Sequence, residues 1–109
     1  MSVTLTDSNF DTLIIGSGKL SIIDFWATWC PPCIALGPVM DALAKDFEGT
    51  INVGKLNVDE NPKVSIDYSV TNLPCVLFIL KGKVVDKQVG AAPKSVYEKK
   101  VRKLLEGSF

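Results

Sequence analysis

The sequence predicts a single α/β domain with a central mixed five-stranded sheet flanked by four helices. Its 109 residues are enough for one hydrophobic core. Short apolar runs alternate with segments of helical periodicity, which favours parallel strand–helix–strand units. Near the C-terminus, two runs are separated only by Lys81-Gly82, a hairpin signal that adds antiparallel pairing.

The N-terminal segment predicts an edge strand and a first helix, at residues 3–5 and 6–15. Thr6 or Ser8 can cap this helix, and Gly16 and Gly18 end it. Its apolar face consists of Phe10, Leu13 and Ile14.

The central segment predicts two buried strands around a long helix, at residues 20–27, 30–47 and 51–58. The apolar side chains of the helix recur at helical spacing: Ile34, Leu36, Val39, Met40, Leu43 and Phe47. Pro38 lies inside this helix, so we expect a kink there.

The C-terminal segment predicts a short helix, a hairpin and a last helix, at residues 62–68, 75–80 with 83–89, and 93–106. Asn61 caps the short helix, with Pro62 at its first position. The inner face of the last helix consists of Tyr97, Val101, Leu104 and Leu105. A basic run on the same helix is best interpreted as a solvated face and less well as a binding patch: Lys99, Lys100, Arg102 and Lys103.

Composition and charge argue against several classes of protein. Twelve Lys and Arg balance twelve Asp and Glu, so there is no electrostatic reason to expect nucleic acid or an anionic membrane as a partner. No apolar run is long enough to span a membrane, and the N-terminus lacks signal-peptide features. We therefore expect a cytoplasmic protein. The absence of histidine excludes His-based catalysis and His metal ligands.

Two cysteines two residues apart, Cys30 and Cys33, lie in the stretch DFWATWCPPCIAL. A structural zinc site needs four ligands, usually Cys or His, whereas this chain has three Cys and no His, so we expect no metal. A structural disulfide closing so small a loop contributes little stability. Thiol–disulfide exchange fits better, because Cys30 falls at a predicted helix N-terminus, where the thiol pKa is lowered. We expect an exposed nucleophile at Cys30 and a sheltered resolving thiol at Cys33.

Asp24 interrupts an apolar run, so we expect a buried carboxyl whose pKa is raised by desolvation. Strand alternation places Asp24 and Trp26 on one face. Lys55 is a similar charge inside the next strand. Two interpretations remain open: a structural ion pair between Asp24 and Lys55, or a buried proton acceptor for Cys33 tuned by Lys55.

These residues resemble the thioredoxin family, and the resemblance covers essentially the whole chain. The segment from Asp24 to Cys30, followed by Pro32-Cys33, is similar to the family's active-site motif. Further matches are the helix-kinking proline, the buried lysine and following acidic residue, the cis-proline pair, and the hairpin and groove glycines: Pro38, Lys55, Asp59, Leu73-Pro74, Gly82 and Gly90-Ala91.

The resemblance implies a thioredoxin fold and a protein-disulfide reductase with a redox-active disulfide between Cys30 and Cys33. Cys30 would attack, Cys33 would resolve, and Asp24 with Lys55 would assist proton transfer. The implied substrate-binding residues are Trp29, Pro31, Pro32, Leu73, Pro74, Gly90 and Ala91. The resemblance also implies that the protein is a monomer without bound cofactor and that it acts on disulfide-containing proteins. Its electrons would come from a thioredoxin reductase that uses NADPH and flavin.

Two departures from the family pattern stand out. Pro31 replaces the usual glycine, which fixes φ and deletes an N–H near the Cys30 sulfur, and we hypothesise a shifted reduction potential. Cys75 replaces a threonine. It is either an inert buried residue or a third thiol that tunes Cys33 or traps another disulfide. The polar residues Thr71 and Asn72 can alter which reductase or substrate docks.

Two alternative functions remain. Cys-Pro-Pro-Cys also resembles specialised thioredoxin-like oxidoreductases or isomerases dedicated to one partner. The presence of Asp24 and Lys55 and the compact length favour a general reductase. A binding subunit without turnover is less favoured, because such a protein does not need Cys33.

Overall fold

The computed structural model describes residues 2–107 and confirms the predicted sheet and helices. Within these residues, five strands and four α-helices follow one another: β1 (Val3–Leu5), α1 (Phe10–Leu13), β2 (Ser21–Trp26), α2 (Pro31–Asp46), β3 (Asn52–Asn57), α3 (Pro62–Asp67), β4 (Cys75–Leu80), β5 (Lys83–Val89) and α4 (Lys94–Leu105). No helix in this range is long and apolar enough to cross a membrane.

The sheet has the strand order β1-β3-β2-β4-β5, with β1 at one edge as predicted. Strand β3 pairs in parallel with both β1 and β2, whereas β4 pairs antiparallel with β2 and with β5. Lys81 and Gly82 both have positive φ in the hairpin turn, the geometry of the two-residue turns that join twisted strands. In the register between β2 and β3, Asp24 lies opposite Lys55.

Helices cover both faces of the sheet. On one face α2 and α4 pack their apolar side chains against alternate strand residues such as Ile22, Val53 and Phe78. On the other face α1 and α3 pack against residues such as Ile23 and Phe25. Since successive strand side chains alternate, Asp24 faces the α2–α4 side with Ile22.

The first helix is shorter than predicted. It begins at Phe10, and its N-cap is Asn9 rather than Thr6 or Ser8. The Thr6 hydroxyl instead accepts a hydrogen bond from the Asn9 N–H at 3.2 Å, which stabilises the preceding turn. A 3-10 turn (Ile15–Ser17) follows, and Leu13 is exposed because a single helical turn buries only one side.

Other local predictions also need correction. Ile34 and Leu105 are exposed rather than buried, since each directly follows a buried residue, Cys33 or Leu104, and so points about 100° away from it around the helix. Helix α2 continues through Pro38, and the kink there stays a prediction. Asn61 is the N-cap of α3 by position, but its side chain makes no capping hydrogen bond.

Candidate active site

The Cys30–Cys33 disulfide lies where the central strand β2 leads into α2. Cys30 is the N-cap of α2 in an extended conformation, and the Cys33 N–H donates to its sulfur at 3.3 Å. Pro31 and Pro32 begin the helix. Backbone N–H groups at these first positions have no intrahelical acceptor, so the absence of N–H in proline removes no helical hydrogen bond. The two Cα atoms are 5.2 Å apart. The structure therefore joins the predicted pair at a helix N-terminus.

Cys30 is less exposed in the disulfide form than expected of a nucleophile. Cys30 is 6% exposed and Cys33 is 2% exposed, so the contrast between an exposed and a sheltered thiol is wrong for the disulfide form. The reason is local packing, because the pair forms a small cluster with Ala27, against which Trp26, Val58 and Leu73 also pack. Pro31 and Pro32 remain exposed beside it. A partner therefore reaches only a small part of the disulfide surface.

Asp24 is 1% exposed and opens into a cavity of about 200 Å³ beside the disulfide. The cavity is lined by Asp24, Trp26, Cys33, Ile34, Gly37 and Lys55. Burial raises the pKa of Asp24 from 3.8 to about 7, and the positive charge of Lys55 opposes this rise. The structure thus brings Asp24, Lys55 and Cys33 to one cavity, as the sequence predicts.

The ammonium of Lys55 is bound to a residue that the sequence analysis did not identify. Its Nζ lies 3.0 Å from Asp41 Oδ1, so the structural ion pair considered between Lys55 and Asp24 gives way to one with Asp41. Asp24 Oδ1 has no hydrogen-bond partner among the described residues. The spacing of Cys33, Gly37 and Asp41 at i, i+4 and i+8 places them along one helix face, a signal that could have found Asp41.

Trp29 and Leu73 border a surface groove of about 400 Å³, whereas Pro74 is buried and lies outside its lining. The groove is lined by Trp29, Val58, Ser65, Val70, Thr71, Asn72 and Leu73. Trp29 is 66% exposed, and its Nε1–H donates to Asp59 Oδ2 at 2.7 Å, which fixes the indole at the rim. The groove therefore offers an apolar ring and a polar loop next to the disulfide.

The bond between Leu73 and Pro74 is cis, as the resemblance implies. The Pro74 carbonyl accepts a hydrogen bond from the Gly90 N–H at 2.8 Å, and Gly90 has φ of +83°, a value that favours glycine. Leu73 packs against the disulfide cluster, so these backbone segments are joined to it. Ala91 is exposed and lies outside the groove lining.

Cys75 begins β4 and is 3% exposed. It packs in the α1–α3 layer with Phe25 and Leu77, on the opposite face of the sheet from Asp24. Burial raises the pKa of its thiol. These features favour the inert interpretation of Cys75. Within residues 2–107, no group of three or more His, Cys, Asp or Glu side chains is arranged to hold a metal ion.

Comparisons with known proteins agree with this geometry. The thioredoxin family model matches residues 1–103. The chain is 51% identical to a thioredoxin of Chlorobaculum thiosulfatiphilum over 96 residues, covering 88% of this chain and 89% of that protein. It is 50% identical to thioredoxin 2 of Chlorobaculum tepidum over 88% of each chain. It is 38% identical to a thioredoxin of Porphyra purpurea, covering 96% of this chain and 99% of that protein. The chain belongs to the thioredoxin family of dithiol–disulfide oxidoreductases.

Proposed function

We propose that this protein reduces disulfides in protein substrates, with Cys30 as the nucleophile and Cys33 as the resolving thiol. The observation that carries this proposal is the position of the disulfide. It lies at the N-terminus of α2, between an open groove and the Asp24 cavity. The helix N-terminus favours the Cys30 thiolate, and the cavity gives Cys33 a proton acceptor.

The reaction begins with the reduced dithiol. The Cys30 thiolate attacks one sulfur of the substrate disulfide, forms a mixed disulfide and releases the first substrate thiolate, which takes a proton from water. Asp24 accepts the proton of the Cys33 thiol, and the Cys33 thiolate attacks the Cys30 sulfur. This closes the Cys30–Cys33 disulfide and releases the second substrate thiolate, so two electrons pass to the substrate. A carboxyl with a pKa of about 7 can both take and release this proton near neutral pH.

Substrate binding is assigned to the exposed surface around the disulfide. Trp29 supplies an apolar contact, and Pro31 and Pro32 border the sulfur. In this proposal, the backbone around Leu73–Pro74 and Gly90-Ala91 would hold an extended segment of the substrate. Backbone pairing of this kind recognises many sequences weakly, which suits a general reductase.

We also propose the partners and location that the family suggests. Electrons would come from a thioredoxin reductase that uses NADPH and flavin, and the chain would act as a monomer without bound cofactor in the cytoplasm. Relatives named thioredoxin support the reductase chemistry. The relative in Pisum sativum is named as a chloroplastic M-type thioredoxin, so cell fractionation is needed to test the location. Thr71 and Asn72 line the groove and would help to select the docking partner.

Insulin reduction driven by dithiothreitol tests the proposed function. We expect the protein to accelerate precipitation of the insulin chains, and we expect Cys30→Ser to lose this acceleration. Cys33→Ser keeps the attacking thiol but lacks the resolving one, so it should accumulate mixed disulfides. Precipitation no faster than with dithiothreitol alone would remove the reductase proposal.

The same Cys33→Ser variant separates the general reductase from the alternative, an oxidoreductase or isomerase dedicated to one partner. A general reductase should trap many proteins as mixed disulfides. Capture of a single protein would instead favour the dedicated enzyme.

A further inference from the structure

Lys55 lines the same cavity as Asp24, but its ammonium is bound to Asp41. Asp24 is the direct neighbour of Lys55 in the register between β2 and β3. The Lys55 Nζ nevertheless lies 3.0 Å from Asp41 Oδ1, and Asp24 Oδ1 has no hydrogen-bond partner among residues 2–107. The ammonium is therefore held by the exposed Asp41 and not by the buried Asp24.

Helix α2 provides the space for this arrangement. A Cβ atom at Gly37 would lie 3.7 Å from Lys55 Nζ, so the ammonium rests over this glycine. Asp41 follows one helical turn later on the same face. The Ser2 hydroxyl donates a second hydrogen bond to the same Asp41 oxygen, at 2.5 Å. The hydrogen bonds from Ser2 and Lys55 hold the pKa of Asp41 below its usual range, so Asp41 stays charged.

The other titratable groups near Asp24 are neutral at pH 7. Tyr97 in α4, and Cys75 on the opposite face of the sheet in β4, interact with the charge of Asp24, and burial raises the pKa of both above its ordinary value. Cys33 in α2 is part of the disulfide. Lys55 is thus the charged group, among the described residues, that acts on Asp24.

We propose that Asp41 is a positioning residue that keeps the Lys55 ammonium from pairing directly with Asp24. This proposal rests on the proposed function of Asp24 as the base for Cys33. A direct ion pair would stabilise the Asp24 carboxylate and weaken it as a base. By holding Lys55, Asp41 leaves Asp24 able to exchange a proton with Cys33 near neutral pH.

The Asp41→Asn variant tests the proposal. Lys55 loses its partner and turns to Asp24, so the Asp24 carboxyl should titrate at lower pH than in the unchanged protein. Carbon-13 NMR of labelled aspartate in the oxidised protein measures this titration. Asp46→Asn is the matched control, because Asp46 lies in the same helix as Asp41 and also pairs with a lysine, Lys94 of α4. This control should leave the Asp24 titration unchanged, and Asp41→Glu, which keeps the charge, should titrate close to the original.

A double variant shows whether Asp41 acts through Lys55. In a Lys55→Met background, Asp41→Asn should no longer move the Asp24 titration. The proposal is overturned if Asp24 titrates at an unchanged or higher pH in Asp41→Asn. It is equally overturned if the downward shift persists without Lys55, since Asp41 would then act by its own charge.

The NMR titration needs no turnover, so it can fail independently of the proposed function. A protein that does not reduce insulin would remove the proposed function and leave the titration measurable. Where insulin is reduced, the pH profile of single-turnover reduction should move to lower pH in Asp41→Asn and stay in place in Asp46→Asn.

Discussion

Pro31 is the residue that most separates this active site from the usual family motif. It has no N–H to direct at the Cys30 sulfur, and the Cys33 N–H is bonded there instead. The nearby Ile34 N–H donates to the Cys30 carbonyl at 3.2 Å. Pro31 therefore leaves the sulfur with fewer backbone donors than a glycine would allow.

Pro31→Gly should change the reduction potential, because it adds a backbone donor near the sulfur and loosens the loop. It should also lower the free energy of unfolding by about 1 kcal/mol through greater freedom of the unfolded chain. Redox titration against glutathione and urea unfolding measure the two effects. Pro62→Gly is the matched control, since Pro62 begins α3 in the same way but lies away from the disulfide. Equal potentials for Pro31→Gly and the original protein would contradict the hypothesis.

Helix α3 shows how one element depends on a distant segment. The Asp7 carboxylate accepts hydrogen bonds from the N–H groups of Val64 and Lys63, at 2.9 and 3.1 Å. The Asn61 side chain, which the sequence suggests as the cap, instead accepts from the Asp7 N–H at 3.0 Å. Because α3 also supplies Ser65 to the groove lining, Asp7 helps to hold one wall of the groove.

Asp7→Ala should lower the free energy of unfolding by about 1 kcal/mol, the usual cost of losing a helix cap. Urea unfolding measures this change. Asp67→Ala is the control, since it removes an acidic side chain of α3 itself, and its solvent-exposed ion pair with Lys63 should contribute less to the free energy of unfolding than the cap does. Equal losses in the two variants would show that Asp7 does not act as the cap.

At the scale of the whole molecule, Asp24 makes the stability of the fold depend on pH. Its pKa is about 7 in the folded chain against an ordinary value of 3.8. Between these values the folded chain holds a proton that the unfolded chain has lost, so stability falls as pH rises from about 4 to about 7. Above pH 7 Asp24 is ionised in both the folded and the unfolded chain, and the full free-energy cost of burying its carboxylate is present.

Asp24→Asn should remove this dependence. The variant should resemble the original protein near pH 4 and exceed its free energy of unfolding above pH 7, by on the order of 4 kcal/mol. Urea unfolding across this pH range measures the difference. If the free energies of unfolding of the two proteins changed with pH in parallel, the buried Asp24 carboxylate would not destabilise the fold.

Local patterns in the sequence determined the order of elements, the two helix-covered faces of the sheet, the cysteine pair at a helix N-terminus, and the buried Asp24. Strand alternation, helical spacing and proline act within a few residues, so they can be interpreted without the fold. Only the tertiary structure decided that Lys55 binds Asp41, that Asp7 caps α3, that Cys75 faces away from Asp24, and that Cys30 is nearly covered. Most of these contacts join segments far apart in sequence. Which carboxylate the flexible Lys55 side chain binds, and which side chains cover Cys30, depend on distances that only the packing of the folded chain sets.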